Sequence, residues 1–437
     1  MNPVAALASR DSRTLATLFA VVALALLAMT LRWHVPMMLW DHLDLVPILQ
    51  AAREGALGHS IFWDIHGGHL HSAAYAVLLL TTWASGGQPW LDCVASWLLL
   101  LAYAAAVVRV AHRALPAGTP LRWRVAILLL ALTPGHLANL QWGWQVAVFL
   151  CLCGAAATVA NLCAERLDGW RNAAALAGAV LAWLSFATGI GLVPLALLLL
   201  AARRDLPGRR RFAFALPWLA LGGAMAWSEA SRAHAAGDVA GVAQLAHYML
   251  DYIGAGVARF ATDVAPWIAL AAIGTGVHAF ARVRGERAAL YWAGFAGFAL
   301  FAALLTALGR AAPFGAGHAF VTRYVSFSSV FWIGWFGLMA MAHRAGAARR
   351  WQSAFVVLVA VLAVANGLHM IGKAAKLGAS TRETARHVRA TWPAVDDATL
   401  RAIYFEQPVI ARERLQRLHD WSYAPFGRDG DGDAPAR

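Results

Sequence analysis

The chain has 437 residues, of which 60% are hydrophobic and only 14% are charged, and its formal net charge is +13. This much apolar surface exceeds what a water-soluble core can bury, so the composition excludes an ordinary soluble globular protein. The basic residues are dispersed between apolar segments, as orientation in a bilayer requires, and this pattern excludes a nucleic-acid partner. We therefore predict an all-α polytopic membrane protein that contacts membrane lipids.

The first apolar run, 15–31, follows two arginines and has the charge order of a signal peptide. No small-residue cleavage site follows, so we interpret it as a retained first span. A long external loop, 32–90, comes next. Within it the apolar stretch 72–86 has only 15 residues, fewer than the roughly 20 that cross a bilayer. We predict an interfacial or re-entrant helix there.

The arginine distribution sets the orientation of the spans, because short cytoplasmic loops retain positive charge. The N-terminus and the Arg-rich connections hold 19 arginines, whereas the other loops before the C-terminal tail hold six. This asymmetry predicts a multi-pass membrane protein with a cytoplasmic N-terminus, an external C-terminus and about eleven crossings. The predicted crossings are 15–31, 91–109, 124–138, 144–163, 173–187, 189–202, 212–228, 264–281, 288–308, 324–342 and 351–372.

The apolar segment 173–201 is interrupted by Ser, Thr, Gly and Pro between 185 and 194, and Gly and Pro break regular helix. A single crossing would put Arg166 and Arg203 on opposite sides of the membrane. We predict two half-length crossings joined by an external turn at 185–191. Irregular backbone at that depth is tolerated only where protein or a water-filled cavity lines it.

These predictions divide the chain into three parts. Residues 1–372 form the transmembrane domain, and 373–426 form a small periplasmic helical tail, with helices predicted at 398–405 and 409–421. The last segment, 427–437, is rich in Gly and Asp and is predicted to be disordered.

Ionisable side chains are concentrated in the first external loop, which holds four acids and six of the sixteen histidines. Asp41 and Asp44 have the spacing that puts both carboxylates on one side of a short helix. There they are near enough to share a cation or to divide into proton acceptor and charge stabiliser. His66 and His69 have the same spacing, with two glycines between them that indicate a loop. Simple solvation beside lipid headgroups is the alternative for each residue, but the density of the cluster favours a function.

Further polar residues lie at predicted membrane depth, where each must be paired or line a cavity: His136, Asn139, Gln141, Trp142 and Gln145. We interpret Trp142 and Trp144 first as interface-belt aromatics and second as a sugar-stacking surface. Gln141 and Gln145 are interpreted first as helix-to-helix hydrogen-bond partners and second as substrate contacts.

Six segments carry a resemblance to a known family: 40-WDHLDLVPIL-49, 66-HGGHL-70, 142-WGWQ-145, 185-SFATG-189, 322-TRY-324 and 392-WPAVDDATLRAIY-404. In this order, with an acidic pair after the first span and an interfacial helix next, they resemble the GT-C superfamily of multi-spanning glycosyltransferases. The similarity is greatest to a group of bacterial membrane proteins of that broad type, and it covers nearly the whole chain. The chain departs from the pattern at His42, where such proteins have a second consecutive Asp. It also has Gly68 and Leu70 where they have Glu and Arg.

The resemblance implies a multi-pass protein of the bacterial inner membrane, in which the external face, including the C-terminus, is periplasmic. It also implies transfer of a sugar from a polyprenyl-phosphate donor to a glycan or lipid acceptor at that face, with inversion at the anomeric carbon. Asp41 would be the general base on the acceptor hydroxyl. Arg323, with Tyr324 beside it, would bind the leaving phosphate. The expected catalytic set is Asp41, Asp44, His66 and His69, and the expected substrate-binding set is Arg323, Tyr324, Gln141, Gln145 and Trp142.

Three alternatives stay open. Asp44 and His66, with Asp41 or His69, would instead hold a divalent metal, and such a mixed set suits manganese or zinc better than magnesium. A lipid-linked-sugar flippase would use the broken helix pair at 173–202 as its substrate site. A non-catalytic partner in envelope polysaccharide assembly would fit the missing second acid. The scarcity of acids within the predicted spans favours chemistry at the outer surface over transport.

Overall fold

The computed structural model describes residues 3–58, 65–66, 69–230, 240–346 and 350–427. Within these residues the chain is almost entirely helical. Its helices are α1 Pro3–Trp33, α2 Leu45–Arg53, α3 Ser72–Ala84, α4 Trp90–Ala114, α5 Leu121–Ala131, α6 Leu137–Leu140, α7 Val146–Leu162, α8 Gly169–Trp183, α9 Leu192–Ala202, α10 Gly208–Ala230, α11 Val242–Ala258, α12 Ala265–Val283, α13 Ala289–Phe314, α14 Val325–Arg344, α15 Arg350–Thr391, α16 Asp397–Ile403 and α17 Pro408–Asp420.

Short 3₁₀ turns join several of these helices. They are Trp40–Asp44, Pro134–His136, Gly143–Gln145, Ala187–Gly191, Ala316–Phe320 and Thr322–Tyr324. Two strands of two residues, β1 Ile65–His66 and β2 His69–Leu70, pair antiparallel with His66 opposite His69. A loop was predicted between these histidines, and the pairing makes it a tight hairpin.

In the part of the chain that the structure describes, seven helical segments are long and apolar enough to cross a membrane. They are Asp11–Trp33, Trp90–Ala114, Leu121–Leu140, Gly143–Leu162, Ala289–Phe314, Thr322–Arg344 and Arg350–Thr391. The polytopic helical class is therefore confirmed. The other four predicted crossings correspond to α8, α9, α10 and α12, which are shorter or less apolar, so the count of eleven stays a prediction.

Side chains at several helix ends explain where the helices begin and stop. Asp168 accepts a hydrogen bond from the Arg171 N–H at 2.8 Å and starts α8, and Asp396 accepts one from the Thr399 N–H at 2.9 Å and starts α16. These are N-caps, which satisfy backbone donors that the first turn leaves open. At the other end of α13, Gly315 has φ of 74°, a conformation in which glycine ends a helix without a Cβ penalty.

The broken apolar segment forms a helical hairpin, as the arginine distribution predicts. The 3₁₀ turn at 187–191 separates α8 from α9, and the chain then returns to its starting end. There Arg203 donates hydrogen bonds to the carbonyls of Leu162 at 2.6 Å and Ala164 at 2.9 Å. A Cβ on Gly189 would lie 2.4 Å from the Ala182 backbone, so the tight turn requires glycine at this position.

Other Arg-rich connections lie at that same end of the bundle. Arg287 donates to the carbonyl of Glu165 at 2.9 Å, which joins the loop after α12 to the loop after α7. Arg344, at the end of α14, donates to the carbonyl of Ala117 at 3.4 Å. Basic side chains thus hydrogen-bond the exposed carbonyls where helices end, a position where positive charge is stabilised by the helix dipoles.

A buried helix lies between the predicted crossings 212–228 and 264–281, in a part of the chain where the sequence predicted no helix of the bundle. There, α11 packs against α12, α13, α14 and α15, and its residues 251–258 are all buried. A Cβ on Gly254 would lie 2.2 Å from the Ala265 carbonyl oxygen, and one on Gly256 would lie 2.7 Å from Trp332. Small residues allow this close approach, while the polar residues of α11 kept the segment's hydropathy below that of the obvious spans.

The structure also has no break at residue 373, where the boundary between the last span and the tail was predicted. The last span continues without a break as the 42-residue helix α15, and α16 and α17 follow it. These two helices pack with the first loop and the start of α7 in a second hydrophobic cluster, separate from the main bundle core. The first loop and the tail therefore lie at one end of the molecule. The predicted disordered segment 427–437 lies outside the described residues, apart from Gly427.

Candidate functional site

The candidate site is built on the 3₁₀ turn Trp40–Asp44 at the start of the first loop. Trp40 has φ of 54°, which is uncommon for a residue other than glycine. Its indole Nε1 donates to the Ala402 carbonyl at 3.1 Å, and its ring meets Trp142 edge-on at 5.2 Å between centroids. Contacts from the tail and from the segment before α7 thus hold the turn in a strained conformation, as often occurs at functional sites.

The Asp44 carboxylate is bound by two residues of the tail. Tyr404 donates its hydroxyl to Asp44 Oδ1 at 2.6 Å, and Arg414 Nη1 forms an ion pair with the same oxygen. The Arg414 guanidinium also lies 4.5 Å from the centre of the Tyr404 ring. Burial and the hydrogen bond to Asp44 raise the pKa of Tyr404 to about 12. We therefore assign Asp44 an anchoring role, and the catalytic role of Asp41, the other half-buried acid of this turn, stays a prediction.

Beneath this turn lies a buried pair that sequence reasoning did not identify. His42 is fully buried, and its Nε2 lies 3.6 Å from Oδ2 of the equally buried Asp92. Thr81 donates its hydroxyl to Asp92 Oδ1. Burial lowers the pKa of His42 to about 3, so its imidazole is neutral at neutral pH. A Cβ on Gly143 would lie 2.5 Å from Asp92 Cβ, so glycine is needed for this packing.

The signal for this pair was present in the sequence. Asp92 is the acid in the first turn of the otherwise apolar α4. A carboxylate there is favoured by the positive end of the helix dipole, and it needs a partner where it is shielded from water. Its partner, His42, is 50 positions earlier in the chain, and only the fold brings the two together.

Two tryptophans face the interior, and this corrects their interpretation as interface-belt aromatics. Trp142 is 8% exposed and Trp144 is 3% exposed. The ring of Trp144 stacks on His71 at 4.7 Å and lies 6.0 Å from the ring of His42. The two indoles therefore form an aromatic wall beside the first loop, and their second interpretation, a sugar-stacking surface, stays a prediction.

Gln141 does not make the helix-to-helix hydrogen bond that was expected of it. Its side chain is fully buried, and neither carboxamide atom has a hydrogen-bond partner within the described residues. Its backbone carbonyl accepts from the Val35 N–H at 2.8 Å, which ties it to the first loop. Such a group is costly unless something pairs with it, and the substrate contact expected of Gln141 stays a prediction. Gln145, also buried, lies one turn further on.

Asn139 and His136 make the helix-to-helix bonds instead. Asn139 Nδ2 donates to the Arg323 carbonyl at 3.0 Å and to the Ser326 hydroxyl at 2.7 Å. His136 Nδ1 lies 2.9 Å from the same hydroxyl. The segment 134–145 thus joins the first loop on one side to the segment 322–326 on the other.

Arg323 and Tyr324 lie at the start of α14. The Arg323 guanidinium lies 5.5 Å from the centre of the Tyr324 ring, and Tyr324 packs against Tyr252 at 5.2 Å between ring centroids. Nearby, the Tyr248 hydroxyl lies 3.0 Å from His318 Nδ1. Burial and the adjacent Arg323 lower the pKa of His318 to about 4, so the His318 imidazole is neutral at neutral pH.

The predicted metal set is not assembled by the residues whose side chains the structure describes, where no three His, Cys, Asp or Glu side chains could hold an ion together. Asp44 is bound to Arg414 and Tyr404. The backbones of His66 and His69 pair in the β1–β2 hairpin, but their side chains lie outside the described set.

Comparisons of the chain with protein-family models, with curated proteins and with solved structures gave no match.

Proposed function

We propose that the protein is an inner-membrane glycosyltransferase. It would move a sugar from a polyprenyl-phosphate donor to an envelope glycan or lipid acceptor at the face that carries the first loop. The supporting observation is the packing of the candidate residues. Segments at 40–44, 141–145 and 322–326, almost 300 positions apart at their extremes, form one continuous unit through the contacts of Val35, Trp40 and Asn139.

In this proposal Asp41 accepts the proton of the acceptor hydroxyl as its oxygen attacks the anomeric carbon. The bond between the anomeric carbon and the donor phosphate oxygen breaks, and the phosphate leaves on its lipid. Arg323 stabilises the charge that develops on the phosphate, since a guanidinium matches phosphate oxygens and acts strongly where water is excluded. Attack opposite the leaving group inverts the anomeric carbon.

The other residues would position the reacting groups. The Asp44 anchor and the buried His42–Asp92 contact hold the turn that carries Asp41. The Trp142 indole and the Gln141 carboxamide would contact the sugar, since pyranose faces stack on aromatic rings and sugar hydroxyls pair with amides. A neutral His42 replaces the second acid of the resembling proteins, so a single carboxylate would act as the base.

The first prediction tests this role of Asp41. A deletion strain is complemented with the wild type, with Asp41→Asn and with Glu54→Gln, an exposed acid of the same loop. We expect Asp41→Asn to lower transfer at least 100-fold, the usual scale for loss of a positioned base. Glu54→Gln should retain transfer. Envelope glycans and lipid-linked sugars are measured, with the membrane content of each variant as the control for folding. Unchanged pools in the deletion strain would contradict the proposal.

One observation favours a transporter of lipid-linked sugars as the second candidate. Asp92 and Asp251 are buried within helices, where a transport pathway needs polar groups. A transporter predicts the opposite pattern of loss, in which Asp92→Asn blocks accumulation of the translocated lipid while Asp41→Asn is tolerated. A non-catalytic assembly partner predicts that both substitutions are tolerated.

A further inference from the structure

A basic cleft of about 700 Å³ lies at the end of the molecule that carries the tail, apart from the candidate site. Its walls come from the end of α1, the start of α4, the second half of α15 and the tail after α17. Four arginines and one histidine line it, and none of its described lining residues is acidic: Arg32, His34, Arg382, Arg386 and Arg389.

Three of the arginines follow one stripe of α15. Arg382, Arg386 and Arg389 are spaced four and three residues apart, which puts them on one helix face. Like charges at this spacing repel one another, so the stripe is unfavourable unless an anion lies against it. Two of the three also brace the cleft walls, since Arg382 donates to the Arg32 carbonyl and Arg389 Nε donates to the Pro425 carbonyl at 2.7 Å.

Two guanidinium groups have the freedom to bind a ligand. Neither Arg32 nor Arg386 makes a side-chain hydrogen bond or an ion pair within the described residues, although both line the cleft. His34 does not add charge, because burial lowers its pKa and Arg382 lowers it further. Its Nδ1 lies 2.7 Å from the Leu31 carbonyl. The positive potential of the cleft therefore comes from arginine, which keeps its charge at any physiological pH.

The α1 and α4 walls of the cleft lie at the ends of two segments long and apolar enough to cross a membrane, Asp11–Trp33 and Trp90–Ala114. The apolar run of α1 stops at Arg32, and Trp33 meets α15 so closely that a Cβ on Gly378 would lie 2.6 Å from the Trp33 carbonyl oxygen. Arg382 follows one turn later. On the opposite wall, Trp90 is 43% exposed and begins α4. Exposed tryptophan and arginine at span ends are typical of the headgroup layer of a bilayer.

We propose that this cleft binds the phosphate of an anionic phospholipid headgroup. Guanidinium groups bind phosphate oxygens through paired hydrogen bonds, and a lipid reaches the cleft sideways from the bilayer. The bound lipid would join α1, α4, α15 and the tail, which together form the cleft walls. This site contains none of the residues proposed for sugar transfer, so it stands whether or not that function is correct.

The test measures lipid binding by the full chain in detergent, with phosphatidylglycerol as the probe and phosphatidylcholine as the zwitterionic reference. Bound lipid is counted by native mass spectrometry over a titration. We expect Arg386→Gln to weaken phosphatidylglycerol binding about fivefold and Arg32→Gln/Arg386→Gln about 25-fold, since each arginine near a lipid phosphate contributes a factor of roughly five. Arg401→Gln, an exposed arginine on α16, changes net charge equally and should have no effect.

Four results would overturn the proposal. The first is unchanged phosphatidylglycerol binding in the double variant. The second is an equal loss of phosphatidylcholine binding, and the third is displacement of the lipid by equimolar inorganic phosphate, which would indicate a site for the free anion. The fourth is a loss of thermal stability in the double variant that has the same size in phosphatidylglycerol and in phosphatidylcholine. Such a loss would indicate that another part of the chain, and not a lipid, fills the cleft. Wild-type preference for phosphatidylglycerol, lost only in the cleft variants, supports the proposal.

Discussion

His42 shows how the meaning of a single residue depends on its surroundings. From the sequence it marked the place of a missing acid, but in the fold it is buried against Asp92 and beside Trp144. A neutral imidazole adds no charge of its own to this buried contact, in which His42 Nε2 and Asp92 Oδ2 lie 3.6 Å apart. We therefore interpret His42 as a positioning residue beneath Asp41.

This burial makes stability depend on pH. A histidine in the unfolded chain titrates near pH 6.5, whereas burial lowers the pKa of His42 to about 3. As pH falls the unfolded chain binds the proton first, so the stabilisation is complete above pH 6.5 and is lost progressively towards pH 3. At pH 5 the loss from His42 is about 2 kcal/mol. The titratable group that faces the His42 ring is Asp92. Asp92 is kept in the variants used to test this dependence.

The second prediction follows from this linkage. We expect the difference between thermal midpoints at pH 7 and pH 5 to be smaller in His42→Gln than in the wild type, because the substituted side chain does not titrate. The midpoints are measured on purified protein in detergent. His419→Gln, on the exposed surface of α17, is the control and should keep the wild-type difference. An equal difference in the wild type and in His42→Gln would show that His42 is not the titrating group.

The role of Asp44 likewise depends on its surroundings in the fold. Its spacing from Asp41 correctly indicated a shared face, since side chains three apart eclipse in a 3₁₀ turn. The spacing did not reveal Tyr404 and Arg414, which are 360 and 370 positions away and occupy its carboxylate. Local geometry was therefore predictable, but the division of roles between the two acids was not.

At the scale of elements, small residues decide which helices touch. A Cβ on Gly178 of α8 would lie 2.7 Å from the Gly154 carbonyl oxygen, and one on Gly154 of α7 would lie 2.3 Å from the Gly178 carbonyl oxygen. Thr158 donates to the Ala175 carbonyl at 2.9 Å in the same contact. The two backbones are therefore in direct contact, which is how helices associate where lipid removes the hydrophobic driving force.

The third prediction tests this contact. Gly178→Ala places a methyl group against backbone that has no side chain to move, so we expect a loss of about 1 to 3 kcal/mol in the free energy of unfolding. Gly372→Ala is the matched control, since a Cβ on Gly372 of α15 meets nothing within 4 Å. Alanine favours helix over glycine, so the control should be neutral or slightly stabilising. Thermal midpoints in detergent report both effects, and equal midpoints for the two variants would contradict the packing argument.

The helices α11 and α15 show that hydropathy does not predict whether a helix is buried or where it ends. The polar residues of α11 reduced its apolar signal, yet its small residues pack it into the bundle. The apolar signal of α15 ends near Gly372, but the helix continues to Thr391 because its extension packs on α1 and the tail. Hydropathy measures affinity for lipid, whereas helix length and burial depend on contacts with neighbours.

For the whole molecule, the contacts divide the connections into two ends. The first loop and the tail meet at one end through Asp44 and Arg414, and the loops after α7 and α12 meet at the other through Glu165 and Arg287. The arginine distribution predicts the same division, with the first end external.

The fourth prediction concerns this division. In sealed membrane vesicles, a membrane-impermeant maleimide should label Glu54→Cys and Glu406→Cys from one side, and Glu165→Cys and Glu286→Cys from the other. The native cysteines give little background, because Cys93, Cys151 and Cys163 are buried and Cys153 is half-buried. Labelling of Glu54→Cys and Glu406→Cys from opposite sides would exclude the packing of the tail on the first loop. The side that reacts in vesicles of known orientation gives the absolute topology.

The sequence by itself predicted the membrane class, the return of the chain at 185–191, the common end of the Arg-rich loops and eleven crossings, seven of which match helices long and apolar enough to span a membrane. These features depend on composition, on length and on the cost of placing charge in lipid, and each can be evaluated along the chain. Only the tertiary structure decided that Asp44 anchors the tail, that His42 meets Asp92 and that the basic cleft exists. Those features join residues from distant parts of the chain, and no local pattern encodes which distant side chain fills a given space.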